Sequence, residues 1–353
     1  MKKKKLLALL FLLQIIVVKL LSFFPEFVER WYSNGIYPYI SSTSRVIFGV
    51  FGFSIGDIIY AIVIFMGLRW LWQRRKTWRV AYKYNFVTML ATLSIVYFLF
   101  NILWAFNYHR VPLYKKMDIE KEYTLNELTA FTKKLIIKTN ALQAGITKSD
   151  TTKVVVPYNV REMYNRSING YGNLSKQFPY FEYTHESVKS SLFSIPLSYM
   201  GFGGYLNPFT NEAQVNSELP AYNLPTTTCH EMAHQIGFAN ESEANFIGFM
   251  ASVNNDDLYF KYSGYSFALK YCMRNIAKLD EARAKSLVPL INKGILKNFK
   301  ESEEFNKKYE SFIEDIFKYI YDNYLKINRQ KDGLETYSKF VGLMVNYYKD
   351  KNL

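Results

Sequence analysis

The sequence predicts an α+β protein that is mainly α-helical, with three N-terminal transmembrane helices followed by a predominantly helical domain that holds a small antiparallel sheet. Three long apolar runs lie within the first 110 of 353 residues, and each approaches the roughly 20 residues that a helix needs to cross a bilayer. Beyond them, apolar residues mostly recur at helical spacing, with short alternating segments between residues 188 and 216. We therefore divide the chain into a membrane anchor, residues 1–110, and a domain formed by residues 111–353.

The three predicted spans cover residues 6–24, 55–72 and 86–106. The first is interrupted only by Gln14 and Lys19, and the bulky residues after it lack the small-residue cleavage site of a signal peptide, so we expect an uncleaved anchor. Asp57 falls in the second apolar run, where a charge at mid-bilayer would be costly. We therefore expect Ser54 or Asp57 to cap the start of that helix at the membrane interface.

The net charge of the chain is +14, and its distribution predicts the membrane orientation. Residues 1–84 hold 13 Lys and Arg against 3 Asp and Glu, a net charge of +10, so most of the positive net charge lies in the membrane part and no nucleic-acid partner is expected. They cluster before the first span, in Lys2–Lys5, and between the second and third, in residues 69–83. By the positive-inside rule both clusters are cytoplasmic. This predicts a multi-pass protein of the cytoplasmic membrane, with the lipid bilayer as a partner and residues from about 110 onward outside the cell.

Local patterns in the second part of the chain predict helices around a small sheet. A capping box at Thr124 and Glu127 opens one helix, and a second helix is expected near Val160–Phe178. Val188–Tyr199 and Glu212–Asn216 alternate as strands do, and the Gly-rich segment between them is typical of turns in an antiparallel unit. Residues after 254 are expected to be mostly helical.

The segment Thr226–Met250 contains the pattern His-Glu-x-x-His, formed by His230, Glu231 and His234. Four residues make roughly one helical turn, so both imidazoles project from the same face of a helix. Two such nitrogens suit one tetrahedral zinc ion, and Glu231 lies beside them to transfer a proton. A catalytic zinc site takes three protein ligands and leaves a fourth position for water, so a third ligand is needed.

Two glutamates after this pattern are candidates for the third ligand. Gly237 is a natural stop for the first helix, and Asn240 has the chemistry of an N-cap for a second helix, with Glu243 as its capping-box partner. Glu241 shares a helical stripe with small residues, which would let the second helix pack closely on the first and bring the carboxylate to the metal. We therefore predict Glu241 as the third ligand and keep Glu243 as the alternative.

The motif and its surroundings resemble two families. His-Glu-x-x-His followed by Glu-x-x-Ala-Asn is similar to the gluzincin metallopeptidases, which implies a zincin-like domain with Glu241 as third zinc ligand and Asn245 as a residue that orients a ligand. The string HEMAHQIGFANESEANF resembles an uncharacterised bacterial membrane family, domain of unknown function 3810. That resemblance extends through the strings GDIIY, NYHRVPL, GGYLNPFTNEAQVN, YSGY and YLKINRQKDGLETY. The metzincin pattern is disfavoured because Asn240 stands where its third histidine would be.

The predicted function is therefore that of a membrane-anchored zinc metallopeptidase that hydrolyses peptide bonds on the outer side of the cytoplasmic membrane. Zn²⁺ held by the two histidines and Glu241 would activate water, and Glu231 would accept its proton and deliver it to the leaving amine. Candidate donors to the oxyanion are His185, Tyr205 and Tyr262. The resemblance also implies an edge strand before the zinc helix, which can hold a peptide substrate by main-chain hydrogen bonds.

Two other functions are compatible with the same motif: a metal-binding membrane sensor or regulator, and a structural zinc protein without turnover. A structural site would normally be closed by a fourth protein ligand, for which Glu243 is the available residue. A sensor would need a cytoplasmic output module, and no sizeable cytoplasmic segment is predicted. Cys229 and Cys272 are too few for a disulfide framework, and Cys229 is interpreted as a packing residue because neighbours on a helix point about 100° apart.

Overall fold

The structure is a computed structural model that describes residues 2–328 and 337–353, and it is mainly helical with one small sheet. The α-helices are α1 Lys2–Leu21, α2 Pro25–Phe27, α3 Tyr37–Gly49, α4 Ile55–Arg74, α5 Tyr82–Leu103, α6 Leu113–Lys116, α7 Leu125–Thr147, α8 Val160–Ser175, α9 Ser194–Tyr199, α10 Leu224–Gln235, α11 Glu241–Asn254, α12 Leu258–Leu279, α13 Glu281–Leu287, α14 Lys293–Tyr309, α15 Phe312–Ile327 and α16 Tyr337–Tyr347. The strands are β1 Val188–Ser190, β2 Gly204–Leu206 and β3 Ala213–Val215, and a π-helix covers Val28–Ile36. The predicted class, mainly helical α+β, is confirmed.

Two helices, α4 and α5, are long and apolar enough to cross a membrane, and they coincide with the second and third predicted spans. The first predicted span lies in α1, which packs along α5. It meets the same criterion only together with Pro25–Gly49, from which a bend of 98° separates it. The described residues thus hold two candidate spans, or three if the bent pair forms one.

The first turn of α4 is built into the C-terminal domain. Ser54 caps the helix as predicted, because its side chain accepts a hydrogen bond from the Asp57 N–H (2.9 Å). The Glu212 carboxylate accepts another from the Ile55 N–H (3.1 Å), and the Asp57 carboxylate accepts one from the Leu192 N–H (2.7 Å). The first two bonds satisfy N–H groups that the helix itself leaves unpaired. Asp57 is buried in protein and holds α4 against the segment after β1, while Glu212 holds α4 against the segment before β3.

The sheet is mixed, which corrects the predicted antiparallel unit. The strand order is β1-β3-β2, with β1 parallel and β2 antiparallel to β3. Val188–Tyr199, predicted as strand, is strand only to Ser190 and later forms α9, while β2 lies in the Gly-rich segment predicted as turns. The physical reason is that two parallel strands need a long crossover, and α9 and β2 provide it. As a result β2 is an edge strand.

The residues that the structure describes form two hydrophobic clusters. The larger one lies in the C-terminal domain and includes the buried faces of α7, α8, α10, α11, α12 and α16. The smaller one joins the membrane part to that domain, and its buried members are Val28, Tyr32, Tyr37, Trp104, Ala105, Leu206 and Ala239. Packing therefore continues across the predicted boundary at residue 110.

Candidate metal centre

The turn between α10 and α11 forms with the predicted glycine and the predicted N-cap, but the predicted capping box does not form, because the Glu243 carboxylate accepts a hydrogen bond from the Leu113 N–H instead. Gly237 adopts φ +90°, a left-handed conformation that favours glycine after a helix. Asn240 then caps α11, because its side-chain oxygen accepts hydrogen bonds from the Ser242 N–H (2.9 Å) and the Glu243 N–H (3.3 Å). The chain reverses within a few residues, so that α11 packs directly against α10.

The two helices approach each other closely at Gly248. A Cβ atom added there would lie 2.9 Å from the His230 backbone nitrogen and 3.0 Å from its Cα, too close for any other residue without a shift of the backbone. This approach lets the first residue of α11, Glu241, reach the imidazoles of α10. Gly248 thus plays the part predicted for the small residues on this stripe of α11, which is to let the helix pack closely on α10.

Three side chains converge at this crossing. His230 Nε2 lies 3.1 Å from His234 Nε2 and 3.3 Å from Glu241 Oε2, and His234 Nε2 lies 3.6 Å from Glu241 Oε1. A tetrahedral zinc ion with bonds of about 2.0–2.1 Å would separate its ligand atoms by about 3.3 Å. The observed separations therefore fit one small ion. Ligand-type atoms of His230, Glu231 and His234 also lie within 4.8 Å of one another.

The protonation of His234 also suits a metal ligand. Its Nδ1 lies 2.7 Å from the carbonyl oxygen of Phe238. Because a carbonyl oxygen only accepts hydrogen bonds, Nδ1 carries the hydrogen and Nε2 directs a lone pair toward His230 and Glu241. Metal-binding histidines commonly make this contact between the second ring nitrogen and a backbone carbonyl.

Burial and close charges move the pKa values of these groups apart. Burial raises the pKa of Glu231 to about 8, against the opposing effect of His230. Burial also disfavours the charged form of Glu241, but His234, His230 and the Tyr321 hydroxyl outweigh it and lower the pKa to about 2. Burial lowers the pKa of His234 to about 4, whereas at His230 the nearby carboxylates overcome burial and raise the pKa. Glu241 is therefore the anion that faces both imidazoles.

Glu243, the alternative third ligand, is engaged elsewhere. Its Oε1 accepts a hydrogen bond from the Leu113 N–H (2.7 Å), and its charged neighbours are Arg110, Glu29 and Lys116. Burial raises its pKa to about 7, although Leu113 and Arg110 act in the opposite direction. The structure thus brings Glu241, and not Glu243, to the two histidines.

Three buried polar atoms of the site have no hydrogen-bond partner among the described residues. They are Glu231 Oε2, Asn245 Nδ2 and His230 Nδ1. Asn245 lies beside His230, and both it and Glu231 line the same cavity as the histidines. Buried polar groups are rarely left unpaired, so these atoms indicate a site that takes a polar ligand or water.

Of the three residues predicted as oxyanion donors, the structure places only one close to the histidines. Tyr205 lines the cavity, but its hydroxyl donates a hydrogen bond to Asp57. Tyr262 is fully buried and donates to Asn298 (2.8 Å), and His185 is exposed and outside the cavity lining. Tyr205 alone of the three is close to the site.

Tyr321 belongs to the site, and its place there could not be predicted from the sequence. The Tyr321 hydroxyl of α15 donates a hydrogen bond to Glu241 Oε1 at 2.6 Å. The sequence predicts a helix here from its apolar periodicity, but 80 residues separate Tyr321 from Glu241, and no local pattern connects them. A second tyrosine of the same helix, Tyr324, shares a hydrogen bond with Tyr108 (3.0 Å) and also lines the cavity.

The cavity around these residues has a volume of about 800 Å³. Its floor, the most buried part of the lining, is formed by polar side chains of α10 and α11 that include Glu231, His234 and Glu241, and its walls come from α9, β2, α12, α15 and the candidate membrane-spanning helices α4 and α5. Strand β2 passes directly beside the floor, since a Cβ atom added to Gly204 would lie 2.6 Å from Glu231 Oε1. The size is within the range of ligand-binding pockets.

Side chains that precede residue 111 bind the end of α10. The bonds run from Trp104 Nε1 to the His234 oxygen (3.3 Å), from the Tyr37 hydroxyl to the Gln235 oxygen (3.0 Å), and from Arg110 Nη1 to the Gly237 oxygen (2.8 Å). Arg110 in turn forms a two-pronged ion pair with Glu29, with both nitrogen–oxygen distances below 3 Å. The α10 helix cannot pair the carbonyl groups at its own end. Side chains of residues 1–110 donate hydrogen bonds to these groups instead.

Comparison with known proteins gives a family and no individual relative. No curated protein and no solved structure matches the chain. A family model described as protein of unknown function (DUF3810) matches residues 32–345, a range that includes α4, α5, the convergent histidines and α15. Residues 329–336, which the string YLKINRQKDGLETY includes, lie outside the described residues. Because the match covers most of the chain, the protein belongs to the DUF3810 family.

Proposed function

We propose that the protein is a zinc-dependent metallopeptidase with a zincin-like domain, anchored in the cytoplasmic membrane and active on its outer side. The observation that supports this most strongly is the convergence of His230 Nε2, His234 Nε2 and the Glu241 carboxylate at separations of 3.1–3.6 Å. A buried carboxylate, Glu231, lies beside them in a cavity large enough for several residues of a peptide.

Each residue has a defined role in this proposal. His230, His234 and Glu241 would hold the metal, and Asn245 would orient His230. When bound, zinc supplies Lewis acidity that makes a water molecule more acidic and polarises a carbonyl group. Burial raises the pKa of Glu231, and the positive charge of a bound zinc ion would lower it again, so that the carboxylate accepts the proton of the attacking water. Glu231 then delivers this proton to the amine that leaves when the C–N bond breaks.

Strand β2 would position the substrate. In the antiparallel β2–β3 pair, successive residues of β2 direct their backbone N–H and C=O groups alternately toward β3 and away from it. The backbone hydrogen bond from the Asn207 N–H to the Glu212 oxygen (2.9 Å) shows that Asn207, and therefore also Tyr205, directs these groups toward β3. It follows that the backbone groups of Gly204 and Leu206 point away from β3, toward the open edge of the sheet. An extended peptide can bond to such an edge. It would then pass Glu231, which Gly204 contacts.

The first test is metal content. The full chain would be purified in detergent as wild type, His230→Ala, Glu241→Gln and Glu243→Gln, and zinc would be measured by mass spectrometry. We expect one zinc per chain in the wild type and in Glu243→Gln, and loss of zinc in the other two. The two glutamate variants carry the same substitution two residues apart, so they distinguish a ligand from a nearby carboxylate. Equal zinc in all four proteins would reject the metal centre.

The second test is turnover. We expect Glu231→Gln to keep its zinc and to lose peptide hydrolysis by about 100-fold or more, because general acid–base catalysis contributes about 10²–10⁴-fold. The readout is cleavage of a mixture of peptides by protein reconstituted in vesicles. The alternative of a structural zinc site without turnover requires Glu243 as fourth ligand, and that carboxylate is bonded to the Leu113 N–H.

A further inference from the structure

The cavity beside the histidines reaches into the depth of a membrane helix. Tyr60 and Ile64 of α4 and Phe100 of α5 form part of its wall. Ile64 comes nine residues after Ile55, the first residue of α4, which places it roughly 14 Å along the helix at about 1.5 Å per residue. One wall of the cavity therefore extends well into a segment that is long and apolar enough to cross a bilayer.

The same wall is also exposed on the outer surface of α4. Ile64 is 59% exposed, and its neighbours Val63 and Phe65 are 57% and 64% exposed. Side chains of this kind in the middle of a candidate span are solvated by acyl chains. Because Ile64 borders both the cavity and this lipid-facing surface, it marks an opening between the two.

Helix α15 forms another part of the rim and carries an exposed, mainly apolar stripe. Its apolar members, with their exposed fractions, are Phe312 (73%), Ile316 (50%), Ile320 (54%) and Ile327 (81%). They fall within about 80° around the helix, a sector that includes one polar residue, Asn323, while Lys318 lies on the other side. An amphipathic helix of this kind is stable when its apolar side is buried in a membrane surface. Since Ile320 also lines the cavity, the stripe leads directly to the opening.

We propose that the cavity opens into the bilayer and that the substrate is the membrane-adjacent segment of a membrane-anchored polypeptide. This inference rests on the proposed peptidase function and adds to it the class of substrate. The polar groups of the cavity lie at its floor, with His230, Glu231 and Glu241, whereas apolar and aromatic side chains form the walls toward α4 and α15. An anchored chain would follow these walls from the lipid to the floor and then bond to the edge of β2.

The opening can be tested without turnover. Cys229 and Cys272 are fully buried, so a single introduced cysteine can be labelled selectively with the fluorophore bimane. Full-length Ile320→Cys and Lys318→Cys would be labelled and reconstituted with lipids brominated on their acyl chains. The two positions lie two residues apart and about 200° around the same helix, so they form a matched pair. We expect quenching at Ile320 to exceed that at Lys318 at least about twofold, because only the apolar side of an amphipathic helix enters the acyl region. Equal quenching would overturn the inference.

The substrate class has its own test. Random-sequence decapeptides would be joined to a dipalmitoyl anchor either directly or through a Gly/Ser linker of about 20 residues, which spans roughly 25 Å. Both sets are equally concentrated at the membrane, so tethering alone cannot explain a difference between them. If the opening faces lipid, the wild type in vesicles cleaves the directly anchored set about tenfold faster. If the site is reached from water, the long linker is cleaved equally well or faster, which overturns the inference and leaves the peptidase proposal intact.

Together, the two tests distinguish a failure of the proposed peptidase function from a failure of the proposed substrate class. Both peptide sets are assayed in the presence of zinc, with Glu231→Gln as the inactive control. If neither set is cleaved, the proposed peptidase function is rejected, and the proposed substrate class is rejected as well. Strong quenching at Ile320 would then still establish the opening into the bilayer.

Discussion

The carboxylate of Glu241 has two oxygens, and the structure gives them different neighbours. Oε1 accepts the hydrogen bond of the Tyr321 hydroxyl at 2.6 Å, and Oε2 lies 3.3 Å from His230 Nε2. A hydroxyl that holds one oxygen fixes the rotation of the carboxylate, so the other oxygen is aimed at the position where a metal would sit. Partners of this kind tune metal affinity although they do not touch the metal.

We therefore expect Tyr321→Phe to weaken zinc binding by about tenfold, the lower end of the range for partners of metal ligands, without unfolding the protein. The measurement is competition with a chromogenic chelator, performed on the full chain in detergent. Tyr319→Phe is the control, because Tyr319 lies on the same helix and is 73% exposed. An unchanged zinc affinity in Tyr321→Phe would show that the hydroxyl does not orient the ligand.

At the scale of elements, the site depends on how closely α11 approaches α10. Gly248 allows that approach, since an added Cβ atom would lie 2.9 Å from the His230 nitrogen. Gly248→Ala must push the two helices apart, and overpacking of this kind costs about 1–3 kcal/mol. We expect a lower thermal midpoint and weaker zinc binding together, because Glu241 moves with α11 and the two histidines move with α10.

The matched control is Gly145→Ala in α7. An added Cβ atom there meets no other group within 4 Å, so the gain in helix propensity of up to about 1 kcal/mol should make this variant as stable as the wild type or more stable. Both variants would be followed by thermal unfolding and zinc competition. If Gly248→Ala bound zinc as tightly as Gly145→Ala, the helix separation would not control the ligand geometry.

The sequence allowed us to predict those elements whose signals are local. The capping box of Thr124 and Glu127 opens α7, Asn240 caps α11, and Ser54 caps α4, each as its own few residues indicate. The spacing of His230 and His234 likewise places both rings on one face of α10. These features need no knowledge of distant segments, because the bonds that form them join residues at most four positions apart.

Features that depend on distant contacts could not be predicted in this way. The short strand β2 has a Gly-rich sequence that is equally typical of a turn, and it is strand because β3 pairs with it. The parallel β1–β3 pair, the use of Glu243 to bind the Leu113 N–H, and the contact of Tyr321 with Glu241 each join segments far apart in the chain. For the same reason, no pattern within residues 1–110 shows that their side chains cap the end of α10.

At the scale of the whole molecule, residues 1–110 and the C-terminal domain are joined by hydrogen bonds and by a shared hydrophobic cluster. Tyr37, Trp104 and Arg110 bind the last carbonyl groups of α10, and the cluster around Tyr37 also buries Leu206 of β2 and Ala239 of the turn. Residues 1–110 therefore do more than supply the candidate membrane spans. They fix the end of the helix that carries both histidines and one end of the edge strand.

This predicts that residues 111–353, produced alone, form a poorer metal centre than the full chain. The hydrogen bonds that Tyr37, Ser41, Trp104 and Arg110 make at the end of α10 are lost, worth roughly 4 kcal/mol at about 1 kcal/mol for each of these four side chains, and the apolar surface of Leu206 and Ala239 is uncovered. We expect faster amide hydrogen exchange in the turn after His234 and at least about tenfold weaker zinc binding, because about 1.4 kcal/mol corresponds to a factor of ten. Co-production of residues 1–110 as a separate chain should restore both properties. A fragment that already bound zinc as tightly as the full chain would show that the domain builds its site without the membrane part.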